Sequence, residues 1–417
     1  MLIEFRVKNF RSFKDEQVLS MVASSDDSLP QNTTQPEGLG NIRLLNSAVI
    51  YGPNASGKSN LIKALKFAFH YIMYSDALTS MLVEVQPFAL SKETINNPTQ
   101  FSLDFISKGV RYKYSFSVIR NRVLEELLYA YPKGLPQKWF ERRAKSDSTG
   151  SEWEFGSYLK GEKSRLANLT RDEVLFLTVA SKFNNKQLLE VFNWFGHLPF
   201  RGVEGKTITA LLTSLVNNTK SRLIQTLKKA DLGIADFQVF DRKSGQVISN
   251  DMNVDDFKAW YKIFQGNMGI KIKHQGEIES FFSLEDESKG TLALFEIGSD
   301  ILMSLELEKV LLIDDLTESF HTLLTKAIVK LFHNQPQATS SGQLIFNTHD
   351  TTLLDLDVFR RDQIWFVEKD NKGASHLYSL SEYSPRKNES IQKGYLAGRY
   401  GAIPILDDFM AGAVEQA

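Results

Sequence analysis

The stretch "GPNASGKSN", residues 52–60, follows the apolar run "SAVIY" and precedes "LIKALKFAFHYI". Gly52, Gly57, Lys58 and Ser59 satisfy the spacing G-x-x-x-x-G-K-[ST]. Small residues between a strand-like and a helix-like run let the backbone curl until successive N–H groups face an anion, helped by the positive end of the helix. Pro53, Asn54, Ala55 and Ser56 complete the loop, and Asn60 enters the first helical turn. Lys58 is expected to reach the β- and γ-phosphates and Ser59 to ligate magnesium, so ATP and Mg2+ are the expected cofactors.

A phosphate loop of this kind needs acids on a neighbouring strand to hold the metal and the attacking water. The run "VLLIDD" supplies them: Asp314 for the metal, Asp315 to orient or deprotonate the water. His349 in "LIFNTHD" ends the next strand, where it could contact the γ-phosphate and report its presence. A lone histidine is more often structural, but its place one strand beyond the acids favours a catalytic role.

Periodicity gives the setting. "LIEFRV" alternates as a half-buried strand, and "SNLIKALKFAFHYIMYS" sets Leu61, Leu65, Phe69 and Ile72 on one helical face. Three period-2 runs between 98 and 132 form an antiparallel meander. From 133 to 270 helices are expected: "RDEVLFLTVASKF", "KQLLEVFNWF", "TITALLTSLV" and "SRLIQTLKKADLGI". After 270 strands and helices alternate again, with "KVLLIDD" as a parallel strand covered on both faces. The expectation is an α/β fold: a mixed sheet flanked by helices, an antiparallel β-subdomain and an inserted helical lobe. Its parts are 1–132, the first half of the head with the glycine loop and meander; 133–270, the inserted lobe; and 271–417, the second half of the head.

The chain of 417 residues contains no cysteine, which excludes disulfides, thiol catalysis and cysteine-ligated metal. No run approaches the 18 or so apolar residues that span a bilayer, so a soluble cytoplasmic protein without membrane contact is expected. A net charge of −1 gives no global pull toward nucleic acid, and any such contact would need a local basic patch.

Taken in order, the glycine loop, "ESKGT", "LLIDD" and "FNTHD" resemble the ABC-type P-loop ATPase head of SMC-type, RecF-type and transporter proteins. In that superfamily "ESKGT" corresponds to the signature motif, and the resemblance implies that Ser288 and Gly290 cap the γ-phosphate bound by another protomer. A simple N-cap is the plainer alternative for Ser288. More narrowly, "NFRSFKDEQVLSMVAS", "GPNASGKSNLIKAL", "LIFNTHDTTLLD", "FRRDQIWFVEKD" and "GYLAGRYGAIPIL" resemble the RloA-like ATPases of bacterial anti-phage and abortive-infection loci, relatives of OLD nucleases. The resemblance implies a homodimer or higher homo-oligomer built around ATP, controlling an effector, a nuclease or toxin, encoded nearby. It also places Arg11 of "NFRSF" near the nucleotide, although a solvated arginine beside a turn is an equal alternative.

Two departures stand out. The family usually ends this strand with Asp-Glu, whereas Asp315 is one methylene shorter, so hydrolysis could be slow. The glutamine loop has no clear counterpart; Lys182 and Gln187 are the candidates. "KWFERRAK" interleaves cations and aromatics, a pattern able to stack on nucleic-acid bases, but a solvated amphipathic edge is favoured. Asp355, Asp357, Glu368 and Asp370 are taken as ordinary strand ends rather than a nuclease centre. The rival functions are an ATP-loaded scaffold that hydrolyses weakly and a DNA-repair-type ATPase; a transporter subunit fits least.

Overall fold

In the computed structural model the described residues are 1–77, 81–146, 149–196, 224–225, 228, 234–247, 268–275, 278, 280–283, 286–318, 320–335, 341–385 and 389–404. The chain opens with β1 (Leu2–Lys8) and β2 (Gln17–Ser20), passes a small ribbon of β3 (Thr33–Thr34) and β4 (Leu44–Leu45), and enters β5 (Ser47–Tyr51) and α1 (Lys58–Tyr74). The meander follows as β6 (Thr99–Ser107), β7 (Val110–Ile119) and β8 (Arg122–Tyr131). It then continues through β9 (Gln137–Ala144) and β10 (Ser151–Phe155). Together these strands form a seven-stranded antiparallel sheet ordered β10-β9-β8-β7-β6-β1-β2.

Gln137–Ala144 and Ser151–Phe155, expected to lie in a helical lobe, are therefore strands. The period-2 pattern of "SEWEF" turns Trp153 and Phe155 to one side, where both rings pack on Phe176. Helices begin only with α2 (Lys163–Leu169), α3 (Phe176–Lys182) and α4 (Lys186–Phe195). The run "TITALLTSLV" and most of "SRLIQTLKKADLGI" lie outside the described residues.

The expected solvated edge "KWFERRAK" is also corrected. β9 is an interior strand, and Arg142 is fully buried. Its guanidinium donates to Val174 O at 2.6 Å, Arg171 O at 3.1 Å and Asp172 O at 3.2 Å. It also lies over the Trp153 ring and 3.8 Å from the buried Glu126 carboxylate. Glu126 accepts the Phe176 and Leu177 amides at 2.7 and 3.0 Å and the Tyr114 hydroxyl at 2.8 Å. A charge can be held inside a fold when its hydrogen-bonding capacity is met in this way.

Beyond the helices, β11 (Ile234–Asp241), β12 (Met268–His274) and β13 (Ser280–Ser283) form a small antiparallel sheet before α5 (Lys289–Glu306). Then come β14 (Val310–Ile313), α6 (Thr322–His333), β15 (Gln343–Asn347), β16 (Ile364–Lys369), β17 (Ser375–Ser379) and α7 (Ile391–Leu396). The second large sheet is ordered β14-β15-β5-β16-β17, parallel except for β17. Every residue of β5, β14 and β15 is buried, as expected of parallel strands covered on both faces.

That double cover explains how the fold carries its site. Ala48 and Ile50 face one core, shared with α1 and the antiparallel sheet. Val49 and Tyr51 face the other, shared with α5, α6 and α7. Helix α1 is wedged between the sheets, with Leu61, Leu65, Phe69 and Ile72 all buried. Each such side chain contributes about 1.5–3 kcal/mol, which anchors the loop that precedes the helix. Among the described residues, no helix is long and apolar enough to cross a membrane.

Candidate functional site

Both motif glycines are required by their surroundings. Gly52 has φ 152°, and a Cβ there would lie 2.2 Å from the Val367 carbonyl oxygen of β16. Gly57 has φ 119°, and a Cβ there would lie 2.4 Å from Ser375 Oγ and 2.9 Å from Ser12 Oγ. Gly57 is also the N-cap residue of α1, with no side-chain cap. The first-turn N–H groups and the helix dipole therefore present positive charge at this end.

Lys58 is almost fully buried, and its Nζ donates to Gly52 O at 2.7 Å and Pro53 O at 3.0 Å. The ammonium is curled back on its own loop. Burial lowers its pKa to about 8, with Asp315 and Asp314 opposing the shift.

Strand β14 delivers the acids to the same place. Ser59 Oγ donates to Asp314 Oδ1 at 2.8 Å, and Asn347 Nδ2 donates to the same oxygen at 2.7 Å. The other atom of that amide, Asn347 Oδ1, accepts the Asp315 N–H at 2.6 Å. Asn347, buried at the end of β15, thus orients both acids at once. Sequence reasoning did not single it out, although it stands in "FNTHD". The signal is register: β14 and β15 pair Ile313 with Phe346, so the next residue of each strand lies side by side.

Asp315 has φ 52°, a backbone region that costs a non-glycine residue about 1–3 kcal/mol and is held only by strong local contacts. Thr317 Oγ1 donates to its carboxylate at 3.2 Å and lies 2.7 Å from Thr348 Oγ1. A serine hydroxyl and a carboxylate already in contact are hard oxygen donors suited to Mg2+, which takes the rest of its shell from phosphate and water. Among the described residues no three His, Asp or Glu side chains cluster as a metal-ligand set.

His349 follows directly and is exposed. Its pKa is lowered, first by partial burial and then by Lys58, against the pull of Asp315 and Asp314. A neutral imidazole therefore stands within the field of lysine and acids. Lys58, Asp314, Asp315 and His349 thus lie within electrostatic reach of one another.

Arg11 precedes Ser12, whose Oγ accepts from Asn60 Nδ2 in the first turn of α1. It has φ 51°, its amide donates to Gln86 O at 2.7 Å, its guanidinium lies over Phe10, and its Nε is buried without a hydrogen-bond partner. With Ser12, Asn60, Phe88, Arg120 and Lys369 it lines a cavity of about 1090 Å³ next to the start of α1.

Ser288 and Gly290 begin α5 instead. Ser288 caps that helix by accepting the Thr291 amide at 3.1 Å, and the residue is exposed. The glutamine-loop candidates are committed elsewhere: Lys182 pairs with Asp76, and Gln187 accepts the Lys160 amide. Asp370 closes the β16–β17 turn by accepting the Lys372 and Ala374 amides, and Asp355 accepts the Asp357 amide.

A family model described as "AAA domain, putative AbiEii toxin, Type IV TA system" matches residues 47–355. No curated protein matches the chain. Among solved structures, an Smc head bound to the C-winged-helix domain of ScpA aligns at 15% identity and TM-score 0.44, covering 91% of this chain and 97% of that one. An SMC head domain from Thermotoga maritima aligns at 15% identity and TM-score 0.39, covering 91% and 98%. An Smc head with an extended coiled coil, bound to a ScpA domain derived from Pyrococcus furiosus, aligns at 14% identity and TM-score 0.43, covering 92% and 97%.

Proposed function

The chain belongs to the AAA_21 family of AAA domains, and on that premise we propose that it binds Mg-ATP between two copies of itself and hydrolyses it as a switch controlling a separate effector in anti-phage defence. The observation that carries the proposal is the junction of Ser59, Asp314, Asn347 and Asp315 beside the glycine loop.

On binding, the loop amides and the start of α1 take the phosphates, and Lys58 exchanges the Gly52 and Pro53 carbonyls for phosphate oxygens. The nucleoside extends toward Arg11 and Asn60 and the cavity they border. Ser59 and Asp314 would hold Mg2+, which when bound offsets the charge of the phosphates. Asp315 accepts the proton of the attacking water, and neutral His349 donates a hydrogen bond toward the γ-phosphate. Ser288 and Gly290 of a second copy close the site, a role that the exposure of Ser288 supports. ATP binds the closed pair more tightly than the open one, and that difference is what the effector reads. The family's description as a putative toxin of a type IV toxin–antitoxin system supports a toxin–antitoxin setting for this switch.

A scaffold that hydrolyses ATP weakly is favoured by one specific observation. Asp315 carries the shorter acid side chain and is already bonded by Thr317. Single-turnover hydrolysis with wild type, Lys58→Ala and Asp315→Ala separates the two. The switch requires wild-type turnover that Asp315→Ala abolishes; equal inertness of both, with ATP still bound, leaves the scaffold.

A further inference from the structure

The antiparallel edge strand β17 reaches the glycine loop from behind. Ser375 is fully buried, and its Oγ donates to Ser56 O at 2.5 Å. Its amide donates to Ser12 O at 2.8 Å, and Ser12 Oγ in turn accepts from Asn60 Nδ2 at 2.8 Å. Two residues along, the Leu377 amide donates to Gln17 Oε1 of β2, so β17 is fastened to both large sheets. The loop it touches is costly to hold. Ala55 has φ 61°, and Ser56 Oγ is buried without a partner.

We propose that Ser375 is a positioning residue for the phosphate cradle, fixing the Ser56–Gly57 peptide so that the Gly57 amide faces the bound phosphate. A trans peptide is planar, with its C=O and N–H directed to opposite sides. Anchoring Ser56 O on β17 therefore turns the Gly57 N–H away from β17. The absence of a Cβ at Gly57 lets Ser375 and Ser12 approach from that same rear side. Without the hydroxyl, the peptide is free to rotate, and a preorganised donor becomes one that must be ordered when the anion binds. The inference rests on the nucleotide-binding function proposed above.

The test is titration of the full chain with a non-hydrolysable ATP analogue and Mg2+, for wild type, Ser375→Ala and Ser375→Cys, with Lys58→Ala as control. Melting without nucleotide is measured alongside. Ser375→Ala is expected to raise Kd about tenfold, with Ser375→Cys between it and wild type because a thiol is a weak donor of similar size. Melting without nucleotide should stay near wild type. In steady state KM should rise by a similar factor, while kcat changes by less than about threefold.

A Kd for Ser375→Ala within about twofold of wild type, after correction for folded fraction, overturns the proposal. If Ser375→Ala does not fold, Ser375→Cys decides by the same criterion. A wild type that fails to bind the analogue at all sinks the nucleotide-binding function itself, an outcome distinct from equal binding by wild type and variants.

Discussion

Ser59 and Asp314 stand 255 residues apart in the chain, yet the Ser59 hydroxyl lies 2.8 Å from Asp314 Oδ1. The contact exists because β5 and β14 flank β15 in one parallel sheet and end at the same level. If this pair holds the metal, Asp314→Asn should remove the Mg2+ dependence of nucleotide affinity while leaving Mg-free binding nearly intact. Titration with and without Mg2+ checks this. A loss on the order of tenfold is expected only when Mg2+ is present.

Lys58 sets a pH dependence. Its pKa of about 8 in the free protein means that it is charged below that pH and must take up a proton to meet phosphate above it. Phosphate favours the ammonium, so the bound pKa lies higher. Affinity should therefore be flat below about pH 8 and fall above it, approaching tenfold per pH unit for one linked proton. Equilibrium titrations from pH 6.5 to 9.5 check the slope, which Lys58→Arg should flatten.

Much of this was legible from the chain alone. The glycine loop, α1, the three-stranded meander and the acids after "VLLI" show as spacing and periodicity, which are local properties. What was hidden depends on distant partners. Asn347 reads as a turn former until strand register places it beside Asp314. Ser375 reads as one polar residue in an edge strand, and nothing near it announces the Ser56 carbonyl. Arg142 reads as solvated because its partners at 126 and 171–174 lie in other elements.

That buried arginine gives a stability prediction. Arg142→Ala leaves Glu126 charged or protonated in a site whose burial already raises its pKa, and it orphans the Val174 carbonyl. Removing one partner of a buried pair costs about 3–5 kcal/mol. Chemical denaturation should show a loss of that size, larger than for Arg143→Ala at an exposed neighbouring position.

His333 predicts the acid limb. Burial lowers its pKa to about 3, and it lies 2.8 Å from Ser47 Oγ beneath the parallel sheet. Its folded pKa is below the unfolded value near 6.5, so the stability it contributes is complete above pH 6.5 and is lost as pH falls toward 3. Thermal melts across that window should fall less steeply for His333→Gln than for wild type, whatever the offset at neutral pH.

The most direct measurement concerns the shared grip on the terminal phosphate. Because the chain has no cysteine, Asn54→Cys on one copy and Ser288→Cys on another can be joined by a short bis-maleimide without background. Both positions are exposed. The switch predicts a cross-linked heterodimer with Mg-ATP that is absent with ADP and absent when the Asn54→Cys copy also carries Lys58→Ala. No cross-link with ATP, or an equal yield in every nucleotide state, would contradict it.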